Sequence, residues 1–146
     1  MRYNERKVPL TAGGKPASST DPGTWTSYRE AAESKVGVGP GFVLNGDRIV
    51  CVDLDHCIER GKLAPWAAQL LASVSATYVE VSPSGDGLHI WGLGDVTRGR
   101  RLPVAGGGSL EIYGHGRYIT VTGKRYGSCP RRLAELPEAI TRLAAE

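Results

Sequence analysis

The sequence has few cysteines and no long apolar run. Its 146 residues include three cysteines, Cys51, Cys57 and Cys129, without a Cys-x-x-Cys pair. This odd, scattered set indicates reduced thiols in a cytoplasmic protein, not a disulfide framework. The spacing of Cys51, His56 and Cys57 matches no common zinc pattern. No apolar run approaches the length of a membrane span, and the N-terminus lacks a signal-peptide core, so we expect no membrane partner.

The chain also has little net charge. A formal charge of +3 does not by itself indicate a nucleic-acid partner, but it leaves room for basic patches beside an acidic site. With 40% hydrophobic and 23% charged residues, the composition is that of an ordinary globular protein. This length supports one core, so we expect a single α+β domain over residues 1–146.

The stretch from Ile49 to Asp55 combines a predicted buried strand with two acids. Val, Ile and Cys favour strands, and Asn45-Gly46-Asp47 just before is a hairpin signal. Because side chains alternate across a strand, Asp53 and Asp55 point to one face, roughly 7 Å apart. Such a pair is costly unless a cation lies between the acids, and carboxylate oxygens suit Mg²⁺ or Mn²⁺. The alternative is that the strand ends at Asp53 and both acids are solvated or cap a helix.

Turn residues and hydrophobic spacing predict the other elements. Residues 1–24 are rich in Pro and Gly and predict a loop with at most one short strand. Residues 98–108 predict a basic, flexible connection, and residues 109–113 and 117–122 predict a hairpin. We predict further strands over 36–44, 77–81 and 89–91, helices over 25–34 and 64–75, and a C-terminal helix over about 131–145. Short helices alternating with hairpins favour an α+β fold, an antiparallel or mixed sheet with helices on one side.

The segment from Ser84 to His89 is a candidate phosphate site. The segment offers several backbone amides, including those near Gly85 and Gly87, on residues without bulky side chains. A phosphate could therefore approach these amides closely. His89 begins the next predicted strand, where its imidazole could bind a phosphate oxygen. The alternative is a glycine-rich hairpin with a structural histidine.

Glu111 is a candidate third acid. Its side chain points to the strand face opposite that of Leu110 and Ile112. If that face also carries Asp53 and Asp55, three acids converge. The alternative is an exposed strand glutamate. Cations near the same strands are supplied by Arg98, Arg100, Arg101, Arg117, Lys124 and Arg125. Two-metal phosphoryl transfer needs this combination: a carboxylate pair on a rigid strand, a third acid and donors for a triphosphate.

The chain resembles the archaeo-eukaryotic primase superfamily. Asp53-Leu54-Asp55, Gly87-Leu88-His89 and Leu110-Glu111 look like its three motifs: acid-x-acid, small-x-His and hydrophobic-acid. The closer resemblance is to the primase-polymerase domains of phage and plasmid replication proteins, over about residues 7–123. Further matching phrases lie at residues 7–9, 21–25, 52–58, 78–85, 111–113 and 117–123.

The resemblance implies an RRM-like sheet with helices, plus an N-terminal αβ module around one cleft. Asp53, Asp55 and Glu111 would bind two divalent ions, Mg²⁺ or Mn²⁺. The triphosphate of an NTP or dNTP would contact Ser84, Gly85, Gly87, His89 and Arg117. Single-stranded DNA template and primer would contact Lys7, Arg98, Arg100, Arg101 and Lys124. The implied reaction is template-directed nucleotidyl transfer, in which a 3′-hydroxyl attacks the α-phosphate and pyrophosphate leaves.

The resemblance has departures. Glu111 stands where many family members have Asp, and its extra methylene changes the metal reach. Relatives often continue into a helical accessory domain and a helicase, so we expect an excised catalytic domain that does not start primers alone. The setting implied is the cytoplasm of a bacterium or phage-infected host cell.

Two other functional classes remain open. A non-catalytic single-stranded nucleic-acid-binding module would show aromatic residues on the open sheet face, where this chain has acids. A metal-dependent nuclease would use the same carboxylates on water, although the Ser84–His89 turn favours a triphosphate. A nicking initiator is disfavoured because the sequence has no His-x-His pair.

Overall fold

The computed structural model describes residues 1–145 and has an α+β architecture. Its elements in chain order are β1 (Arg2–Tyr3), β2 (Pro9–Leu10), α1 (Tyr28–Glu33), β3 (Gly39–Asn45), β4 (Ile49–Asp55), β5 (Ile58–Glu59), β6 (Lys62–Leu63), α2 (Pro65–Ser73), β7 (Val79–Val81), β8 (Leu88–Leu93), β9 (Arg100–Val104), β10 (Gly108–Tyr113), β11 (His115–Thr120) and α3 (Glu138–Thr141), with 3₁₀ turns at Pro22–Thr24 and Arg142–Ala144. None of the helices within residues 1–145 is long and apolar enough to cross a membrane.

The strands form two antiparallel sheets and one small hairpin. Sheet one has the order β11-β3-β1-β2, and sheet two has the order β7-β8-β4-β10-β9. The separate hairpin pairs β5 with β6. Sheet two places β4, with its two acids, at the centre, where both neighbouring strands can add side chains beside them.

One face of sheet two is apolar and is covered by helices. Val50, Val52 and Leu54 of β4 are completely buried on this face. They pack in one cluster with Trp66 of α2 and Ile140 of α3. Because apolar residues alternate with Asp53 and Asp55 along β4, the helices lie on one side of the sheet and the acids point to the other. The predicted placement of helices on one side of the sheet is confirmed for α2 and α3.

A smaller cluster joins the acid-bearing face of sheet two to sheet one. Trp91 of β8 packs edge-on against Phe42 of β3, with ring centroids 5.9 Å apart. The buried members of this cluster are Leu44, Cys51, Trp91, Tyr113 and Ile119. Cys51 lies two residues before Asp53 on the same face of β4. Sheet one therefore covers one end of this face, and the acids begin where the cover stops.

Both predicted hairpins beside the acid strands are wrong. β3 pairs with β1 and β11, whereas β4 pairs with β8 and β10. The turn at Asn45-Gly46-Asp47 therefore carries the chain from sheet one to sheet two. The turn after Tyr113 carries it back, since β10 lies in sheet two and β11 in sheet one. The two crossings lie side by side, and the Gly46 amide donates to the Gly114 carbonyl at 3.1 Å.

Three other predicted segments differ from the structure. Residues 1–24 contain two short strands, because β1 pairs with both β2 and β3. The supposed flexible connection contains β9, an edge strand on β10 in which Pro103 is tolerated. The C-terminal helix is shorter than expected: α3 and one 3₁₀ turn are helical, and residues 131–136 are not.

Candidate active site

Five charged or ionisable residues form a row across sheet two. The strand registers place Glu80 opposite His89 and His89 opposite Asp53. The row continues from Asp53 to Glu111 and from Glu111 to Arg101. Directly opposed residues of antiparallel strands point to the same face, so all five side chains share the acid-bearing face.

Asp53, Asp55 and Glu111 form a three-acid cluster at the middle of this row. One carboxylate oxygen from each lies within 4.8 Å of the other two. Asp53 and Glu111 are mostly buried, with 18% and 20% of their side chains exposed. Asp55, two residues along β4, accepts a hydrogen bond from the Ser109 hydroxyl at 3.3 Å. The convergence expected from strand alternation is present.

Asp53 has a raised pKa and a carboxylate oxygen without a donor in the described part of the chain. Burial raises its pKa to about 6, and the charges of Asp55 and Glu111 add to this rise while His89 and Lys7 oppose it. Its Oδ1 atom is buried and has no hydrogen-bond donor within residues 1–145. The His89 Nε2 atom lies 3.7 Å from this oxygen, beyond a good hydrogen bond.

The donor set fits a divalent cation. A buried carboxylate oxygen without a donor, beside two further acids, is electrostatically costly in the metal-free protein. A cation would relieve this cost, and an all-carboxylate donor set suits hard ions such as Mg²⁺ and Mn²⁺.

His89 is buried beside the acids. Its Nδ1 atom lies 2.9 Å from Glu80 Oε2, and its ring packs edge-on against Trp91 at 6.4 Å. The opposite ring nitrogen, Nε2, faces Asp53. The structure therefore places the predicted histidine beside Asp53, one of the two predicted acids.

The Ser84–His89 turn has a different hydrogen-bond pattern from the one expected. The amides of Gly85 and Gly87 donate to the carbonyl and hydroxyl oxygens of Ser82, at 3.0 and 3.1 Å. These two amides are therefore used inside the turn. Ser84 is exposed, and its hydroxyl donates to Asp86 at 2.5 Å. The two glycine amides and the Ser84 hydroxyl are thus all engaged inside the turn, and a phosphate bound to any of them would have to replace one of these bonds.

Arg117 and Lys7 are cations contributed by segments outside sheet two. The Arg117 guanidinium lies 4.5 Å from the ring centroid of Tyr113. Lys7 has a left-handed backbone with φ of 60°, and its carbonyl accepts a hydrogen bond from Tyr118. The Lys7 charge lowers the pKa of Asp53.

The other predicted cations do not form one group. Arg101 faces the row, with its Nε atom 3.4 Å from Glu111. Its neighbour Arg100 points to the opposite face and donates to the Leu143 carbonyl at 3.1 Å. Arg98 and Lys124 are exposed and precede β9 and follow β11, respectively. The predicted arginine cluster is thus divided between the two faces of sheet two.

Sequence reasoning did not assign a role to Glu80. This residue is completely buried and accepts four hydrogen bonds. The donors are His89 at 2.9 Å, the Tyr78 hydroxyl at 3.1 Å, and the amides of Thr122 and Gly123 at 3.1 and 3.2 Å. Burial by itself would raise the pKa of Glu80, but the hydrogen bonds from His89 and Thr122 outweigh it and lower the pKa.

The sequence did contain a signal for Glu80. A single glutamate lies between Val79 and Val81 in a strand that is otherwise apolar. A carboxylate in such a strand needs a partner, and the next strand supplies His89. The sequence alone does not identify His89 as the partner of Glu80, because the register between β7 and β8 depends on the intervening turn.

The chain matches the sequence profile of a known family. The profile described as "Bifunctional DNA primase/polymerase, N-terminal" matches residues 3–139. A protein named DNA Primase-polymerase, from Nitratiruptor phage NrS-1, is 40% identical over 132 residues. That match covers 84% of this chain and 18% of the phage protein, so the chain spans only a small part of that relative's length. Because the profile covers nearly the whole chain, the protein belongs to the family of bifunctional DNA primase/polymerase N-terminal domains.

Proposed function

We propose that this domain catalyses metal-dependent, template-directed nucleotidyl transfer as a DNA primase/polymerase. The observation that carries this proposal is the cluster of Asp53, Asp55 and Glu111 beside His89, with one oxygen of each acid within 4.8 Å of the others. Family membership and the name of the phage relative support the same activity.

Asp53, Asp55 and Glu111 would hold the divalent ions, Mg²⁺ or Mn²⁺. When bound, a pair of such ions supplies Lewis acidity toward an attacking hydroxyl and toward a leaving pyrophosphate. The protein's contribution is rigidity: Asp53 and Asp55 lie on the central strand of sheet two, and Glu111 lies directly opposite Asp53 on β10. This arrangement presents the ligands on a fixed surface.

The incoming NTP or dNTP would lie with its triphosphate over His89. The His89 Nε2 atom faces the acids and is the ring nitrogen available to a phosphate oxygen, because Nδ1 is bound to Glu80. In that complex Nε2–H would donate to the phosphate while Nδ1–H donates to Glu80. Ser84 adds an exposed hydroxyl. Arg117 and Lys7 add positive charge, which favours a triphosphate beside an otherwise acidic cluster. Gly85 and Gly87 belong to this site as the residues that shape the turn.

Single-stranded DNA template and primer would approach along the basic edge of the site. Arg101, Arg98 and Lys124 are exposed cations that can contact phosphates, as can Lys7. Arg100 is left out of this set because it points to the helix-covered face. The primer 3′-hydroxyl would attack the nucleotide α-phosphate at the acid cluster. We propose that the reaction takes place in the host-cell cytoplasm, and that a helicase or a helical accessory domain acts together with this domain.

Primer extension tests the proposed function. A primed single-stranded template is incubated with the four dNTPs or NTPs and Mg²⁺ or Mn²⁺, using wild type and the double variant Asp53→Asn/Asp55→Asn. Glu33→Gln, an exposed acid on α1, is the matched control. We expect a ladder of longer products with wild type and the control, and none with the double variant. A shortened primer would indicate a nuclease, and DNA binding without turnover would indicate a binding module.

A further inference from the structure

Glu80 lies directly behind His89 when viewed from the acid cluster. Along the row of sheet two the order is Glu80, His89, Asp53, so the imidazole separates the two carboxylates. Both Glu80 and His89 are shielded from water, with side-chain exposures of 0% and 4%. A buried carboxylate next to an imidazole forms a hydrogen bond that is stronger than one in water.

The hydrogen bond between these residues restricts the His89 ring. An ionised carboxylate can only accept, so the His89 Nδ1 atom, 2.9 Å away, must be the donor. The other nitrogen, Nε2, is then fixed toward Asp53. Without an acceptor at Nδ1, the ring could rotate, and Nε2 would lose its fixed direction.

Glu80 is itself held rigidly. The Tyr78 hydroxyl and the amides of Thr122 and Gly123 occupy its remaining acceptor positions. The two amides belong to the segment that follows β11, so this carboxylate also connects sheet two to the chain returning from sheet one. A carboxylate with four donors on three sides has little freedom to turn away from His89.

We propose that Glu80 is a positioning residue for nucleotide binding: it accepts from the His89 Nδ1–H and so holds the ring with its Nε2–H directed at the site of the triphosphate. This inference rests on the proposed function, in which His89 contacts the nucleotide. Glu80 does not touch the substrate, and its effect passes through the imidazole. Carboxylates set the tautomer and direction of imidazoles in other catalytic arrangements by the same chemistry.

Steady-state kinetics of Glu80→Gln test the role. Glutamine keeps the size of the side chain but loses the charge that fixes the Nδ1 proton. We expect the KM for dNTP to rise ~10-fold, the kcat to change by less than about threefold, and the Kd for primed template to stay the same. Tyr78→Phe is the matched control: it removes one donor to Glu80 but leaves the bond to His89, and its KM should stay within about twofold of wild type.

A double-mutant cycle separates positioning from a purely structural role. In a His89→Ala background, Glu80→Gln should change the KM for dNTP by less than about twofold, because the group through which it acts is absent. If Glu80→Gln raises the KM by the same factor in both backgrounds, Glu80 acts independently of His89 and the proposal is rejected.

Nitrogen NMR of wild type tests the proposal without any variant at Glu80. The sequence has three histidines, and the His89 signals are identified by their loss in His89→Ala. We expect a protonated Nδ1 at His89 in the metal-free protein, and an unprotonated Nδ1 would overturn the proposal. An inactive protein with Nδ1 protonated would reject the polymerase function alone. An active protein with Nδ1 unprotonated would reject the role of Glu80 alone.

Discussion

Asp53 and Glu111 lie directly opposite each other on the neighbouring antiparallel strands β4 and β10. Residues in this relation have their side chains on one face and within about 5 Å at the Cβ atoms. Two acids in such a pair repel each other, which destabilises the metal-free sheet, yet their chain neighbours Val52 and Ile112 are fully buried on the opposite, apolar face. The apolar face fixes the register, and the register forces the acids together.

Glu111 should be indispensable for nucleotidyl transfer. In Glu111→Gln the side chain keeps its size but loses its charge, so the cation site loses a ligand. We expect single-turnover primer extension to fall ~100-fold or more, since metal-ion stabilisation contributes several kcal/mol to such reactions. The exposed Glu59→Gln on β5 is a control that should stay near wild type. Wild-type rates for Glu111→Gln would remove this acid from the proposed site.

The stability of the metal-free protein should fall as the pH rises through about 6. The pKa of Asp53 is about 6 in the fold against an ordinary value of 3.8, so the folded state binds this proton more tightly than the unfolded state. The resulting stabilisation is fully present below pH 3.8 and is lost as the pH rises through the folded pKa. Relative to Asp53→Asn, wild type should lose at most ~3 kcal/mol of unfolding free energy over this range.

Urea unfolding in the presence of a chelator, at several pH values between 4 and 7, measures this difference. The asparagine of Asp53→Asn cannot ionise. Subtracting the stability curve of this variant from that of wild type therefore removes the contribution of titrating groups that do not depend on Asp53. Parallel stability curves for the two proteins would show that Asp53 has an ordinary pKa. Glu80 contributes with the opposite sign, because its lowered pKa makes stability fall only as the pH drops through that pKa.

Divalent cations should stabilise the fold through the same acids. A ligand that binds only the folded state adds about 2.7 kcal/mol at a concentration of 100 times its Kd. We expect Mg²⁺ or Mn²⁺ to raise the Tm of wild type and to have little effect on Asp53→Asn/Asp55→Asn. Sodium chloride at matched ionic strength controls for screening. An equal rise in both proteins would indicate that the ions bind elsewhere.

The sequence was sufficient to predict the acid face but not the sheet topology. Strand alternation predicts that Asp53 and Asp55 share a face. It also predicts that Glu111 points to the face opposite that of its chain neighbours Leu110 and Ile112. Both are local properties of a single strand. The pairing of β3 with β11 depends instead on contacts between residues that are distant in the sequence. The Asn45-Gly46-Asp47 signal indicates a turn, but it does not determine which strands flank it in a sheet.

Two site residues illustrate the same limit. Arg100 and Arg101 are adjacent residues of the same type. Only the pairing of β9 with β10 determines that Arg101 faces Glu111 and that Arg100 faces away from it. The role of Glu80 is not predictable from its own strand, because its partner His89 lies on another strand. A single ionisable residue within an apolar strand is the signal that predicts such a partner, although it does not identify which residue the partner is.

Gly87 should be required for steric reasons. A Cβ at this position would lie 2.6 Å from the Leu54 carbonyl oxygen and 2.9 Å from the Ser82 hydroxyl. We expect Gly87→Ala to destabilise the protein by ~1–3 kcal/mol, because either β4 or the turn must shift. Gly13→Ala is the control, since its nearest atom is 3.9 Å away. Equal unfolding free energies for the two variants, measured in urea, would show that the turn can move without cost.

Arg101 should weaken cation binding while it strengthens template binding. Its guanidinium lies 3.4 Å from Glu111 and competes with a divalent ion for that carboxylate, although 69% of its side chain is exposed and the effect is therefore small. Arg101→Ala should bind Mn²⁺ about twofold more tightly, and its affinity for single-stranded DNA should fall less steeply with salt, by ~0.7 in the log–log slope. Arg100→Ala, the adjacent arginine on the opposite face, should change neither quantity. Calorimetric Mn²⁺ titration and DNA binding at several salt concentrations test both parts. If Arg100→Ala and Arg101→Ala behave alike, the division of these arginines between two faces has no functional consequence.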